Sequence, residues 1–265
     1  MSLARNLPIA SLLALSLTAC GSSQPTAAHT EPTSTAAAAS SSVTLSLVDP
    51  APSVSVLTTA VASASAPPPV NTPPVAEPPG PLPEGMKVLI VGDSFGQALG
   101  AGMRNVAGEY KLTADLQAKE STFIPQWAGG KFDIPSLIRV GKPDVVVISV
   151  GGNELAMVDP TVRVPDIEKI IKIMGETPCV WVRVPTWEAK GWKENDLPEL
   201  IRTHSGPCRY YDSNKLSAGL PRGSDHIHPT AEGQKIWARQ VFDWMKAERD
   251  PKSDKFKFKP RPADE

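Results

Sequence analysis

The first third of the chain lacks the residues that build a hydrophobic core. From Gly21 to Gly85 it contains no lysine, no arginine and no Phe, Tyr or Trp, and Ala, Ser, Thr, Val and Pro make up most of the segment. Without aromatic side chains such a segment cannot bury enough apolar surface to offset the entropy lost on ordering. Closely spaced prolines between Pro67 and Pro83 also exclude a helix or a central strand. We therefore predict a disordered or semi-extended Pro/Ala/Ser/Thr-rich tether over residues 21–85.

A strong charge of either sign is missing as well. The whole chain has a net charge of -1, and residues 86–265 hold 26 basic against 24 acidic side chains. This balance gives no electrostatic basis for binding nucleic acid. Charged residues, aromatic residues and apolar periodicity all begin near Met86, so residues 86–249 are predicted to form one domain. Residues 250–265 are charged and contain proline, which predicts a flexible, solvated tail; a weak contact with the cell envelope is the alternative.

The N-terminus has a single positive charge, Arg5, followed by an apolar run of about a dozen residues. This run is too short to span a bilayer and is typical of a secretory signal peptide. The sequence Leu17-Thr18-Ala19-Cys20 resembles the lipobox of bacterial lipoproteins. The resemblance implies cleavage before Cys20 and acylation of that cysteine, for example with palmitate; the alternative is an ordinary signal with an incidental cysteine. Gly21 in place of an aspartate implies an outer-membrane anchor that faces the periplasm.

Two further cysteines each open an apolar run. Cys179 begins the sequence Cys-Val-Trp-Val-Arg-Val, and Cys208 begins Cys-Arg-Tyr-Tyr-Asp. If these runs are neighbouring parallel strands, the cysteines lie at the same end of adjacent strands. Secretion would place them in an oxidising compartment, which predicts a disulfide, with two buried free thiols as the alternative. No other cluster of ligand residues accompanies them in the sequence, so no metal site is predicted.

Strand-like and helix-like segments alternate through the rest of the chain. Alternation of this kind predicts an α/β domain in which helices cover both faces of a parallel sheet. Ligands of such sheets bind beyond the carboxyl ends of the strands. The predicted strands are Lys87–Val91, Leu112–Gln117, Asp144–Val150, Val180–Val184 and Arg209–Tyr211, and the predicted helices cover about Phe95–Glu109, Pro165–Met174 and Pro229–Arg249.

Three polar turns fall where this fold would form a site. Gly92-Asp93-Ser94 follows the first strand, Gly151-Gly152-Asn153-Glu154 follows the third, and Asp225-His226-Ile227-His228 precedes the last helix. A serine hydroxyl becomes a nucleophile when a base removes its proton. His228 is a candidate base for Ser94, and Asp225 is close enough in sequence to orient the histidine ring. The Ser94 N–H at a helix start and the Asn153 amide are candidate donors to an oxyanion.

Each of these residues alone has a purely structural interpretation. Ser94 alone is typical of a helix N-cap, and Asn153 of a turn. Asp225 and His228 alone would be a cap and a surface histidine. His226 and His228 alternate as metal ligands sometimes do, but no nearby residue in the sequence completes a site. All of the pieces nevertheless occur in order, each at the predicted edge of the sheet.

The ordered set of GDS, GxN and DxxH motifs, spread over Met86 to Lys246, resembles the SGNH (GDSL-like) hydrolases. The resemblance implies a flavodoxin-like, three-layer αβα fold with a five-stranded parallel sheet. It implies Ser94 as nucleophile, His228 as general base and then acid, and Asp225 as the residue that orients His228. The Ser94 N–H and the Asn153 amide become oxyanion donors, and no metal or organic cofactor is expected.

Two positions depart from the pattern of that family. Its members have a glycine after the second strand whose N–H completes the oxyanion hole, but here the segment after Lys119 has no glycine before Gly129. We expect Phe123 at the glycine position, with the N–H of Thr122 or Phe123 as donor, or with the Phe123 ring narrowing the pocket. Loss of one such donor lowers kcat by about 10²–10³. The second departure is Glu154, where aspartate is commoner.

These observations predict a serine ester hydrolase that cleaves O-acyl esters. The expected substrate is an O-acyl ester on envelope polysaccharide or peptidoglycan, or another small ester. The protein is expected to be a monomer that its lipid holds at the membrane. An O-acyltransferase of the same mechanism and a catalytically weak, envelope-binding lipoprotein are the alternatives. Trp127, Trp187 and Trp192 lie in predicted loops, where they either stack on sugar rings or pack beneath those loops.

Overall fold

The computed structural model describes residues 80–187 and 193–261. The predicted signal peptide, the predicted lipidation site Cys20 and the predicted tether up to residue 79 lie outside the described residues, as does Trp192. Within the described ranges, no helix is both long and apolar enough to cross a membrane.

Five parallel strands form a single sheet in the order β2-β1-β3-β4-β5. The central strands β1 and β3 are continuous runs of apolar, mostly β-branched residues, as expected for strands covered on both faces. The prediction of a five-stranded parallel α/β sheet is therefore confirmed. The strands are β1 Lys87–Gly92, β2 Thr113–Ala118, β3 Val145–Ser149, β4 Cys179–Val182 and β5 Arg209–Tyr211.

Helices flank the sheet in two groups. The first group packs α1 against α7, and the second packs α4 against α2, α3 and α5. The sequence predicted α1, α4 and α7 but missed the other four, which are short. The helices are α1 Ser94–Val106, α2 Ile124–Ala128, α3 Ile134–Gly141, α4 Val164–Met174, α5 Leu197–His204, α6 Ser213–Leu216 and α7 Ala231–Glu248, with 3₁₀ turns at Ala107–Tyr110, Gly152–Glu154 and Pro160–Arg163.

The two cysteines of the domain are joined at the beginning of neighbouring strands. Cys179 is the first residue of β4, and Cys208 directly precedes β5. Their Sγ atoms form a disulfide, and their Cα atoms are 4.7 Å apart. The bond therefore ties the two strands together at the amino ends of the sheet, opposite the edge where the polar turns emerge.

The folded part of the chain begins before Met86. Leu82 is buried in the core, although the sequence assigned it to the tether. The Arg249 guanidinium donates to the Pro81 carbonyl at 2.7 Å, and the Gly85 N–H donates to the Lys111 carbonyl at 2.8 Å. Residues 80–85 therefore pack on the domain, because Leu82 supplies an apolar anchor that the proline-rich composition concealed.

The segment 250–261 also differs from the predicted flexible tail. It folds back on the end of α7: the Asp250 N–H donates to the Lys257 carbonyl, and the Lys259 N–H donates to the Glu248 carbonyl. Phe256 is 2% exposed, and Phe258 packs against the core. The alternation Lys-Phe-Lys-Phe-Lys explains the difference, because it has the period of a strand and places the phenylalanines inward. Its high charge concealed this pattern.

We predict that Phe256→Ala lowers the free energy of unfolding by about 3 kcal/mol, since it removes a buried aromatic side chain and leaves a cavity. Urea unfolding of the full-length protein measures the change. Lys257→Ala, which truncates the exposed neighbour, should change stability by no more than about 0.5 kcal/mol. Equal, small effects of the two variants would mean that the segment does not pack in solution.

We also predict that the Cys179→Ala/Cys208→Ala double variant is less stable than the wild type by about 2–4 kcal/mol. The disulfide closes a loop with a sequence separation of 29, which restricts the unfolded chain. Urea unfolding without reductant measures the difference. Alkylation of the unfolded, unreduced wild type provides the control, and modification of Cys179 and Cys208 there would show that the bond is absent.

Candidate active site

Ser94 is presented at the point where β1 passes into α1. β1 ends at Gly92, and Asp93 rather than Ser94 caps the helix: its Oδ1 accepts the Phe95 N–H at 2.9 Å. Ser94 is the first residue of α1, so its hydroxyl is not used as a cap and its N–H has no partner within the helix. Gly92 has φ 153°, and a Cβ there would lie 1.8 Å from the Ser149 carbonyl oxygen, so only glycine allows this turn to approach β3.

The structure brings Ser94, His228 and Asp225 into one hydrogen-bonded row. His228 Nε2 lies 2.8 Å from Ser94 Oγ, and His228 Nδ1 lies 2.7 Å from Asp225 Oδ2. A carboxylate only accepts hydrogen bonds, so Nδ1 carries the proton and Nε2 accepts from the serine hydroxyl. This arrangement is the one in which a histidine can remove the serine proton.

Local contacts hold the Asp225 carboxylate in place. Its Oδ1 accepts the N–H groups of Ile227 and His228 at 2.9 and 3.0 Å. The hydrogen bond from His228, followed by those from the two backbone groups, lowers the pKa of Asp225 to about 2. The turn also needs His226 in the left-handed region, with φ 57°. Asp225 is therefore ionised at neutral pH and fixes the orientation of the His228 ring.

Asp93 links the nucleophile turn to the turn after β3. The side chain is fully buried, and its Oδ2 accepts the N–H groups of Gly151 and Gly152 at 3.0 and 2.9 Å. Burial raises the pKa of Asp93 to about 6, although its backbone hydrogen bonds act in the opposite direction. No role for Asp93 was predicted from the sequence, although an acid at the end of an apolar strand is a signal for one.

Asn153 lies in the same cleft as Ser94. Its Nδ2 donates one hydrogen bond to the Thr122 carbonyl at 2.9 Å, and the amide lines the same cleft as Ser94 and His228. An amide nitrogen carries two hydrogens, so the second remains for a ligand. The contact with Thr122 fixes the amide group in the plane that the backbone of the neighbouring loop defines.

Of the two donors predicted in the loop after β2, Phe123 needs correction, while the Thr122 N–H stays a prediction. The Phe123 N–H donates to Gln126 Oε1 at 2.7 Å at the start of α2, and the Phe123 ring is 41% exposed outside the cleft. Thr122 is buried, and its carbonyl is the acceptor for Asn153. Ser121 instead lines the cleft and has φ 56°, in the region that favours glycine. The backbone conformation that favours glycine is therefore found at Ser121 and not at Phe123, whose ring does not narrow the pocket.

Glu154, in the turn after β3, binds the loop that follows β2. It is 1% exposed, and its Oε1 accepts the Ile124 N–H at 2.9 Å and the Arg163 Nε–H at 3.1 Å. Burial raises the pKa of Glu154 to about 7, against the influence of the hydrogen bond from Ile124 and the Arg163 charge. The departure from aspartate at this position thus anchors the start of α2 beside the Asn153 turn.

The cleft that contains these groups has a volume of about 560 Å³. At one end Phe95 stacks on Trp187, with ring centroids 5.6 Å apart, and lies 4.9 Å from the His228 ring. Trp127 does not line the cleft: it is buried in α2 and donates from Nε1 to Thr122 Oγ1. In the part of the chain that the structure describes, no three or more His, Cys, Asp or Glu side chains are grouped as a metal site would require.

Neither a sequence model of a protein family nor a curated protein matches the chain. Solved structures with similarity include a lipase/acylhydrolase from Enterococcus faecalis, with 15% identity, 63% of this chain and 99% of that chain covered, and a TM-score of 0.49. A catalytic mutant of an acetylxylan esterase from Geobacillus stearothermophilus is 13% identical. The match covers 61% of this chain and 94% of the esterase chain, with a TM-score of 0.45. The periplasmic domain of a lipopolysaccharide acetyltransferase from Salmonella ser. Paratyphi A is 15% identical. The match covers 60% of this chain and 83% of that domain, with a TM-score of 0.43. At such identities and scores, the chemistry of this chain has to be argued from its own side chains.

We predict that Asp93→Asn is less stable than the wild type, and that this deficit shrinks as the pH rises from 4 to 7. Asparagine cannot accept on both sides of its amide, so it leaves backbone donors unpaired at a cost of about 1–3 kcal/mol. The wild-type carboxyl has a pKa of about 6 when folded and an ordinary value of 3.8, so its contribution to stability is largest below pH 3.8 and is lost as the pH rises through 6.

Urea unfolding at several pH values in this range measures the deficit. Asp115→Asn is the control, because Asp115 is an exposed acid on β2. A deficit of Asp93→Asn that stays constant or grows with pH would contradict the role of the buried carboxyl.

Proposed function

We propose that this protein is a serine ester hydrolase that uses Ser94, His228 and Asp225. The observation that carries the proposal is the unbroken hydrogen-bonded row from Ser94 Oγ through His228 to Asp225, at 2.8 and 2.7 Å, on the carboxyl edge of the sheet. Structural interpretations of the single residues do not require this alignment, since Asp93 is already the helix cap. The row has the geometry that nucleophilic catalysis by serine needs.

In the first half of the reaction, Ser94 Oγ attacks the carbonyl carbon of the ester while His228 Nε2 takes the hydroxyl proton. The resulting oxyanion accepts hydrogen bonds from the Ser94 N–H, the Asn153 amide and the Ser121 N–H. The tetrahedral intermediate then collapses: the bond to the alcohol oxygen breaks, His228 returns its proton to that oxygen, and an acyl-Ser94 ester remains.

In the second half, His228 removes a proton from water, and the resulting hydroxide attacks the acyl-Ser94 carbonyl. As this intermediate collapses, the bond between the acyl carbon and Ser94 Oγ breaks, His228 returns its proton to Oγ, and the carboxylic acid leaves. Asp225 stays ionised throughout and stabilises the imidazolium form of His228, in keeping with its lowered pKa. An O-acyltransferase would use the same acyl-enzyme with a sugar hydroxyl in place of water.

The main argument for a weakly catalytic, envelope-binding protein is weakened by the positions of Ser121 and Phe123. That alternative depended on a missing glycine and on Phe123 in the pocket, whereas Phe123 lies outside the cleft and Ser121 adopts the glycine-like backbone conformation. We therefore favour an active hydrolase.

We further propose that the domain works at the bacterial envelope as a lipid-anchored monomer. The support is sequence-based: the lipobox-like Leu17–Cys20 and the tether that precedes Gly80. Gly21 after the cysteine favours the outer membrane, with the domain facing the periplasm. A tether of this length would give the domain reach near the membrane, which suits O-acyl esters on polysaccharide or peptidoglycan.

The function predicts that purified full-length protein hydrolyses p-nitrophenyl acetate, and that Ser94→Ala and His228→Ala each lower kcat by about 10³-fold or more, because the nucleophile or its base is gone. A fluorophosphonate should label the wild type at Ser94 and should not label Ser94→Ala. Initial rates and mass spectrometry of the labelled protein make the measurement.

Ser136→Ala removes a serine on α3, away from the cleft, and is the matched control for both readouts. Labelling of Ser94→Ala at the wild-type level would show that the nucleophile is a different residue.

A further inference from the structure

One part of the cleft runs along α1, away from the reactive serine. Ser94, Gln97, Ala98 and Ala101 all line it, at the i, i+3, i+4 and i+7 spacing of a single helix face. At 1.5 Å per residue this face extends about 10 Å from Ser94. The small side chains of Ala98 and Ala101 leave a depression there. We call it the α1 groove; its floor is Ala98 and Ala101, and its polar side chains are Gln97, Glu120 and Gln234.

The chemistry of the reaction suggests which part of an ester lies in the α1 groove. His228 protonates the oxygen of the leaving alcohol, so the alcohol part must lie beside the His228 ring. The lining of the cleft comes from two sides of β1: Trp187, in the segment after β4, and Ile227 supply apolar side chains that suit an acyl group, whereas Glu120, in the loop after β2, belongs to the α1 groove.

The polar groups of the α1 groove offer a ligand both hydrogen-bond acceptors and donors. Gln234 donates one Nε2 hydrogen to the Pro229 carbonyl at 3.1 Å, so its Oε1 and its second Nε2 hydrogen remain for a ligand. Glu120 is an exposed carboxylate, which only accepts. Gln97 is exposed and offers both a donor and an acceptor. A ligand with several hydroxyl donors matches this set.

Charge excludes another class of ligand. Among the described residues that line the cleft there is no lysine or arginine, and the carboxylate of Glu120 lies at the wall of the α1 groove. Phosphate groups and uronic acids would meet this negative charge without a cation to pair with. A neutral alcohol is therefore favoured over an anionic one.

The width of the α1 groove is set by close packing of α1 on α7. A Cβ atom at Gly102 would lie 2.1 Å from the Gln234 carbonyl oxygen, so the two backbones are in contact directly beside Ala101. Gln234 thus belongs to a fixed wall and not to a mobile loop. In a preformed site of this kind, little side-chain entropy is lost when a ligand binds.

We propose that the α1 groove is the subsite for a neutral, hydroxyl-rich glycosyl group that leaves as the alcohol of the ester. The proposal rests on the hydrolase function above and narrows its substrates to acyl esters of neutral sugars. It assigns the acyl group to the apolar end of the cleft and the sugar to the end between Glu120 and Gln234.

The first test compares two leucine variants of the full-length protein. Ala101→Leu fills the α1 groove, whereas Asn105→Leu adds the same side chain one turn further along α1, outside the cleft. The measured quantity is the ratio of kcat/KM for acetylated xylo-oligosaccharides to kcat/KM for p-nitrophenyl acetate. We expect Ala101→Leu to lower this ratio by about tenfold or more and Asn105→Leu to leave it within about twofold.

The second test reverses charge and does not depend on the packing of α1. The wild type should prefer acetylated xylo-oligosaccharides, which are neutral, to acetylated oligogalacturonates, which are anionic. Glu120→Lys should shift this preference toward the anionic substrate by about tenfold, and more at low than at high salt. Asp115→Lys makes the same change of charge on β2, outside the cleft, and should not shift it.

The outcomes separate this proposal from the hydrolase function. A wild type that does not hydrolyse p-nitrophenyl acetate contradicts the hydrolase function. A wild type that hydrolyses it but acts on neither oligosaccharide, or prefers the anionic one, overturns the subsite alone. The subsite is also overturned if Ala101→Leu and Asn105→Leu, or Glu120→Lys and Asp115→Lys, behave alike.

Discussion

The buried carboxylate of Asp93 is the contact on which the site depends. It caps α1 through the Phe95 N–H and at the same time accepts the N–H groups of Gly151 and Gly152. A buried acid is costly unless several donors surround it, and here backbone groups from two turns supply them. β1, which leads to Ser94, and β3, which leads to Asn153, are thereby held at a fixed distance, so Ser94 and Asn153 keep a fixed relative position.

Two different scales of contact assemble the remaining groups. Asp225 and His228 are three residues apart and are set by a local turn, so only the approach of that turn to Ser94 requires the folded domain. The oxyanion side depends on long-range contacts: Asn153 binds the Thr122 carbonyl, and Glu154 binds the Ile124 N–H and Arg163. The loop after β2 is therefore positioned by the turn after β3.

The distribution of polar and apolar side chains around this frame gives the cleft a direction. Trp187 and Ile227 give its lining an apolar part, while Glu120, Gln234 and two small alanines line another part. An ester that joins a small apolar acyl group to a neutral sugar has the same polarity along its length. In the proposed function, the row of Ser94, His228 and Asp225 carries out the chemistry, and the side chains on α1 and α7 select the alcohol.

The sequence by itself determined the α/β sheet, the three turns at its edge and the order of Ser94, Asp225 and His228. Strand periodicity and turn residues are local signals, and they survive in a single sequence. Only the tertiary structure decided that Ser121, and not Phe123, has the backbone conformation that favours glycine. Neither the φ angle of Ser121 nor the hydrogen bond between the Phe123 N–H and Gln126 can be read from composition. It also decided the roles of Asp93 and Glu154 and the packing of Leu82 and Phe256, since burial and hydrogen bonding between distant segments arise only when the chain is folded.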